Sequence, residues 1–126
     1  MKIYIAALWS RREEMREVEK RLVAEGHMNT ARWLWTTAPN EPKFWQPEAL
    51  VDVDDIVESD AVLTFTQPYK SMNSGGGRHF EFGLAYGLRK LLIGVGEQEI
   101  IFHHLPRMHF FDTLDEAMKF LKGYIP

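Results

Sequence analysis

Apolar residues recur along this chain with two different periods, one for strands and one for helices. Residues 2–8 form an almost unbroken β-prone run, and Ser10-Arg11-Arg12-Glu13 follows with a serine and a glutamate at capping-box spacing. The spacing predicts a strand and then a helix that begins near Ser10. Met15, Val18 and Leu22 share one face of that helix, charged residues occupy the others, and Gly26 is its stop. A second strand is predicted within residues 27–35, where Thr30, Trp33, Leu34 and Trp35 cluster, and residues 37–42 read as a loop. Residues 47–59 are predicted to be a helix with Leu50, Val53, Ile56 and Val57 turned inward. Residues 61–65 are the clearest strand. A polar loop over 66–78 leads to a helix over 79–89 and a strand over 91–95. A short strand is predicted near 108–111, then a last helix capped by Thr113 and Glu116 and carrying Ala117, Phe120 and Leu121.

Strands alternating with helices in this way predict an α/β fold: one domain over residues 1–126, with a parallel five-stranded sheet and helices on both faces. Ligands of such sheets bind beyond the carboxyl ends of the strands. Two loops qualify, residues 8–12 after the first strand and residues 66–78 after the third, and both run into helix N-termini that favour anions.

Composition narrows the chemistry. The chain has no cysteine, which removes disulfides, thiolate zinc sites and cysteine nucleophiles and suits a reducing compartment. No run approaches the roughly 20 apolar residues of a membrane helix, and the first residues read directly as a strand, so a cytoplasmic protein without a membrane partner is expected. A net charge of -3 with mixed signs gives no field for gripping a nucleic-acid polymer, and a small ligand is the better expectation. Of the five histidines, His103 and His104 are adjacent and poorly placed to face one ion, and His109 stands alone, so neither a metal site nor a cofactor is expected.

The glycine run Ser74-Gly75-Gly76-Gly77-Arg78 is neither a P-loop nor a G-x-G-x-x-G fingerprint. It supplies a backbone that can pass close to a ligand, at Gly76 and Gly77, and it delivers Arg78, His79 and Glu81 to the mouth of the sheet. In the first turn of a helix Glu81 would be held ionised by the helix dipole, as a nucleophile requires; the same placement also suits a carboxylate that only offsets that dipole.

The run from Asp52 through Asp60-Ala61-Val62-Leu63-Thr64-Phe65-Thr66-Gln67-Pro68 to Gly77-Arg78-His79-Phe80-Glu81-Phe82-Gly83-Leu84-Ala85 resembles the nucleoside 2-deoxyribosyltransferase superfamily, which includes 2'-deoxynucleoside 5'-monophosphate N-glycosidases. The resemblance reaches back to Tyr4 and Trp9 and forward to Phe102-His103-His104-Leu105-Pro106, and its most specific part is E-x-G-x-A after a glycine loop. It implies a flavodoxin-like (Rossmann-like) sheet, a glutamate nucleophile at Glu81, an assisting aspartate at Asp52, a tyrosine that orients the nucleophile at Tyr4, an aromatic near the base at Trp9, and assembly as a homodimer or a multiple of dimers. It further implies that the segment after the fourth strand reaches a partner's site, through His103 or His104. Without it, Tyr4 reads equally as a buried strand residue and Trp9 as a loop side chain packed on the sheet.

The chain departs from the pattern at Gly75, where transferases of free nucleosides carry an acid six positions before the nucleophile. The monophosphate hydrolases carry a serine there and a serine and arginine after the first strand. Ser74 stands one position away, and Ser10 and Arg11 follow the first strand, so a 5'-phosphate pocket of Ser10, Arg11, Ser74 and Arg78 is expected, against a solvated helix start for Arg11 and Arg12. The expected activity is cleavage or exchange of the N-glycosidic bond of deoxynucleosides or their 5'-monophosphates through a glycosyl-enzyme. The alternatives are a strict monophosphate N-glycosidase and a nucleotide-binding module without turnover.

Overall fold

The computed structural model describes residues 1–68 and 76–124. Five strands, β1 (Lys2–Ala6), β2 (Met28–Asn29), β3 (Ala61–Phe65), β4 (Leu91–Val95) and β5 (Met108–Phe111), form one sheet in the order β2-β1-β3-β4-β5. Every pairing is parallel, with Tyr4 beside Val62, Leu63 beside Ile93 and Gly94 beside Phe110. This is the doubly wound order of flavodoxin-like sheets, in which the direction of strand addition reverses between β1 and β3 while every strand stays parallel.

Four helices cover the sheet: α1 (Arg12–Ala24), α2 (Pro42–Glu58), α3 (Gly77–Gly87) and α4 (Leu114–Gly123). α1 buries Met15, Val18 and Leu22, the face its spacing predicts, and Gly26 ends the segment at φ +88°, a left-handed turn that few other residues accept. α1 and α4 are bridged by Arg21 and Asp115 at 2.7 Å, while α2 and α3 pack together beneath Tyr4. The core is continuous, from Ile3, Ile5 and Leu22 through Val62, Leu63 and Ile93 to Met118 and Leu121. Gly94 allows the β5 residue Phe110 to lie where a side chain on β4 would stand, 2.3 Å from a Cβ placed there.

Local signals fail in three places. Ser10 does not cap α1: a 3-10 turn, Trp9–Arg11, intervenes, and the N-cap is Arg11, with no side-chain cap bond. The second strand is only two residues long, and Trp33 and Leu34 are buried from a 3-10 turn, Arg32–Leu34, instead. α2 begins at Pro42, five residues before the predicted start: Pro42 takes the first helical position, which suits proline, and the helix runs on through Pro47, an exposed interior position that lacks its N–H donor. Of the four residues expected to face inward from α2, Ile56 is buried, but Leu50 and Val57 are more than half exposed. Thr113 does cap α4, accepting from the Glu116 backbone N–H at 3.2 Å. Among the described residues no helix is long and apolar enough to cross a membrane.

Candidate active site

A cavity of about 340 Å³ opens where the chain leaves the carboxyl ends of β1 and β2. Its walls are Ala7, Leu8 and Trp9 after β1, Trp33, Thr36 and Ala38-Pro39-Asn40 after β2, Trp45, Glu48, Ala49 and Asp52 on α2, and Gly77, Arg78 and Glu81 on α3. Trp9 and Trp33 meet at 6.1 Å with their planes tilted by 34°, and the Arg12 guanidinium lies 4.2 Å over the Trp9 ring. Arg12 also donates to the carbonyls of Leu34 and Thr36, so it clamps this wall rather than lying free in solvent. Asp55, buried on α2, accepts from the backbone and guanidinium of Arg32 at 2.9 and 2.8 Å and ties the same segment to the helix.

Three of the predicted residues meet here. The fully buried Tyr4 hydroxyl donates to Glu81 Oε2, and Asp52 lines the cavity with Glu81. Burial pushes the Glu81 carboxyl up to about 8; the Tyr4 hydrogen bond opposes that rise and the nearby Asp52 adds to it. Burial also lifts Asp52, to about 7, with the like charges of Asp55 and then Glu48 adding to it and Arg32 opposing. The Asp52 Oδ1 atom is buried without a partner among the described residues. Tyr4 is raised far above the ordinary phenol range by burial and by Glu81 and Asp52, so it keeps its proton and serves only as a donor to Glu81.

This corrects one expectation. α3 begins at Gly77, so Glu81 lies in the second turn, outside the four residues with free N–H groups, and burial outweighs the dipole. The carboxyl is held toward its protonated form.

The expected phosphate pocket is not assembled among the described residues. Ser74, and the departure at Gly75, lie outside them. Ser10 and Arg11 do not line the cavity: Ser10 sits exposed in the 3-10 turn, and Arg11 donates to Glu14 at 2.7 Å and Gln67 at 3.0 Å. Gly76 is the N-cap of α3 and Gly77 lines the cavity. Arg78 lines it too, but is buried and forms a two-armed ion pair with Glu99. Glu99 in turn donates its backbone N–H to His103 Nδ1 at 3.1 Å. His103 is itself buried, packed against His79, Phe82 and Phe110, and burial brings it down to about 4, so it is a neutral acceptor inside its own fold. His104 beside it is exposed. Sequence reasoning passed over Glu48, Glu99, Trp33, Trp45 and Asn40. Glu48 stands one turn before Asp52 on the predicted helix 47–59, so its i,i+4 spacing from that aspartate was the signal that could have found it. Among the described residues no group of three or more His, Asp or Glu side chains could hold a metal ion.

No family model matches the chain, and no curated protein matches it in sequence. Solved structures do. The CMP N-glycosidase of Clostridium botulinum is 18% identical with a TM-score of 0.63, covering 98% of this chain and 100% of its own. A 2-deoxyribosyltransferase from Leishmania mexicana is 16% identical with a TM-score of 0.71, covering 98% of this chain and 99% of its own. The 2-deoxyribosyltransferase of Bacillus psychrosaccharolyticus is 18% identical with a TM-score of 0.73, covering 99% of this chain and 93% of its own. The chain thus shares the fold of these three enzymes, whose names fall in the group its motifs resemble.

Proposed function

We propose that this protein is an enzyme that cleaves or exchanges the N-glycosidic bond of deoxynucleosides or their 5'-monophosphates by double displacement. The observation that carries this reading is the meeting of Asp52 and Glu81 in one tryptophan-lined cavity, with the buried Tyr4 hydroxyl donating to Glu81. Ionised Glu81 attacks C1' of the sugar; the C1'–N bond breaks, its electron pair leaves with the base, and Asp52 delivers a proton to the departing nitrogen. With Asp52 lifted to about 7 and Glu81 to about 8, the pair holds one proton around neutral pH; in the free protein it rests on Glu81, so attack requires that it pass to Asp52 as the substrate binds. Tyr4 fixes the attacking oxygen. The glycosyl ester is then opened by water, giving hydrolysis, or by a second base, giving transfer, with Asp52 taking back a proton.

The chemistry is tested by incubating the protein with nucleosides and 5'-monophosphates, with and without free bases, and separating released base from new nucleoside. Glu81→Ala is expected to lose at least about a thousandfold in rate, the scale seen when a catalytic group is removed, while Glu97→Ala keeps its activity. Full activity in Glu81→Ala would overturn the proposal, and binding without any released base would leave only a nucleotide-binding module.

The same reading includes a homodimer. A second, apolar groove of about 360 Å³ between α2 and α3 borders Asp52 and Glu81 from the other side, and Leu50 and Phe80 on its rim are 61% and 62% exposed. Sedimentation of the wild type as a dimer, with Phe80→Asp shifting it toward monomer, is the expected result; a monomer at micromolar concentration would refute it.

A further inference from the structure

Glu48 lines the cavity one helical turn before Asp52, and its surroundings leave it poised to accept. Thr36 Oγ1 donates to its Oε1 at 3.3 Å, and among the described residues neither a second donor nor a cation meets its other oxygen. It is not fully exposed, and it stands among the indole rings of Trp9, Trp33 and Trp45, a wall suited to a flat heteroaromatic ring. Beside it, Trp45 Nε1 donates to Asn40 Oδ1 at 2.9 Å, which fixes the amide so that its NH₂ is the group left to donate. A carboxylate at this place has no scaffold partner comparable to that of Asp55, which holds Arg32.

We propose that Glu48 reads the base of the substrate, selecting bases with an exocyclic amino group over their oxo counterparts. The proposal rests on the reading of the cavity as an N-glycosidic site. An ionised carboxylate can only accept; an exocyclic amine offers it hydrogens, whereas a carbonyl at the same place turns lone pairs toward a negative charge. Discrimination therefore comes from repulsion of the wrong base as well as attraction of the right one. Thr36 acts as a positioning residue by fixing one carboxylate oxygen.

The test pairs deoxycytidine with deoxyuridine and deoxyadenosine with deoxyinosine, each with and without a 5'-phosphate, and measures binding by calorimetry alongside base release. Wild type is expected to favour the amino member of each pair by at least about tenfold, the scale of one hydrogen bond to a charged group. Glu48→Gln, whose amide both donates and accepts, is expected to bring the ratio to within roughly threefold, and Thr36→Val to lower it part of the way. Equal affinities in wild type, a preference that survives Glu48→Gln, or no binding of any of these probes would overturn the proposal. A preference that depends on Glu48 with no base released would sustain it and instead remove the glycosidic reading. Base release without preference would do the reverse. Should Glu48→Gln fail to fold, an unchanged ratio in Thr36→Val decides against it.

Discussion

Arg78 and Glu81 sit one helical turn apart on α3, and the fold treats the two buried charges in opposite ways. Arg78 is compensated through two further residues: Glu99 takes its guanidinium with both carboxylate oxygens, and His103, kept neutral by burial, anchors the Glu99 backbone. Glu81 receives a single neutral donor, the Tyr4 hydroxyl, and faces another carboxylate, Asp52, with an unpartnered oxygen. Arg78 Nε is buried without a partner among the described residues, but both terminal nitrogens meet an opposite charge, whereas Glu81, three residues on, meets none; the difference separates a structural cluster from a reactive one. Under-compensated carboxyls in a cleft mark the place where chemistry is expected.

Removing the compensation on the Arg78 side has the largest expected effect. Glu99→Gln leaves a buried guanidinium without its counter-charge and is expected to cost about 3–5 kcal/mol in denaturant unfolding, whereas Arg78→Met combined with Glu99→Met recovers most of that loss. Equal stability of Glu99→Gln and wild type would show that solvent already reaches Arg78 and erase the contrast.

On the Glu81 side the sign reverses and depends on pH. The folded carboxyl keeps its proton up to about 8, whereas the unfolded one gives it up near 4.5, so across that window the folded chain holds the extra proton and loses stability as pH rises. Glu81→Gln removes this penalty. In denaturant unfolding it is expected to be more stable than wild type at pH 9, by an amount on the order of 2 kcal/mol, and to differ little at pH 5. A variant less stable than wild type at pH 9 would mean that Glu81 is well served by its surroundings. A gain in stability from the same change that abolishes turnover would place the Glu81 strain in the service of function.

Strands β1, β3, β4 and β5 were legible because each is a short apolar run, α1 and α4 because each carries an apolar stripe, and Gly26 and Thr113 punctuate as their chemistry requires. Tyr4, Asp52 and Glu81 were reached through motif resemblance, and the structure brings all three together. The Arg78 cluster was not legible. Glu97-Gln98-Glu99 offers two carboxylates that local sequence cannot tell apart, and only the fold turns Glu99 toward an arginine 21 positions earlier in the chain. His103, beside the exposed His104, carries no signal of its burial either, since the pocket of Phe82 and Phe110 that receives it is drawn from α3 and β5. The state of Glu81 was misjudged for a related reason: placing α3 two residues late put the carboxyl on the dipole, where burial in fact prevails.

Three of the four tryptophans of this chain, Trp9, Trp33 and Trp45, wall the cavity, while Trp35 stands outside it, over half exposed beneath the Arg16 guanidinium. Indole emission shifts with whatever lies against the ring. The protein therefore carries its own optical gauge: a flat molecule settling among those three side chains replaces water at most of the emitters, and Trp35 supplies an internal reference in the same spectrum. Occupancy of the cavity can be followed by light from the unlabelled chain, before any bond is broken and whatever the bond turns out to be.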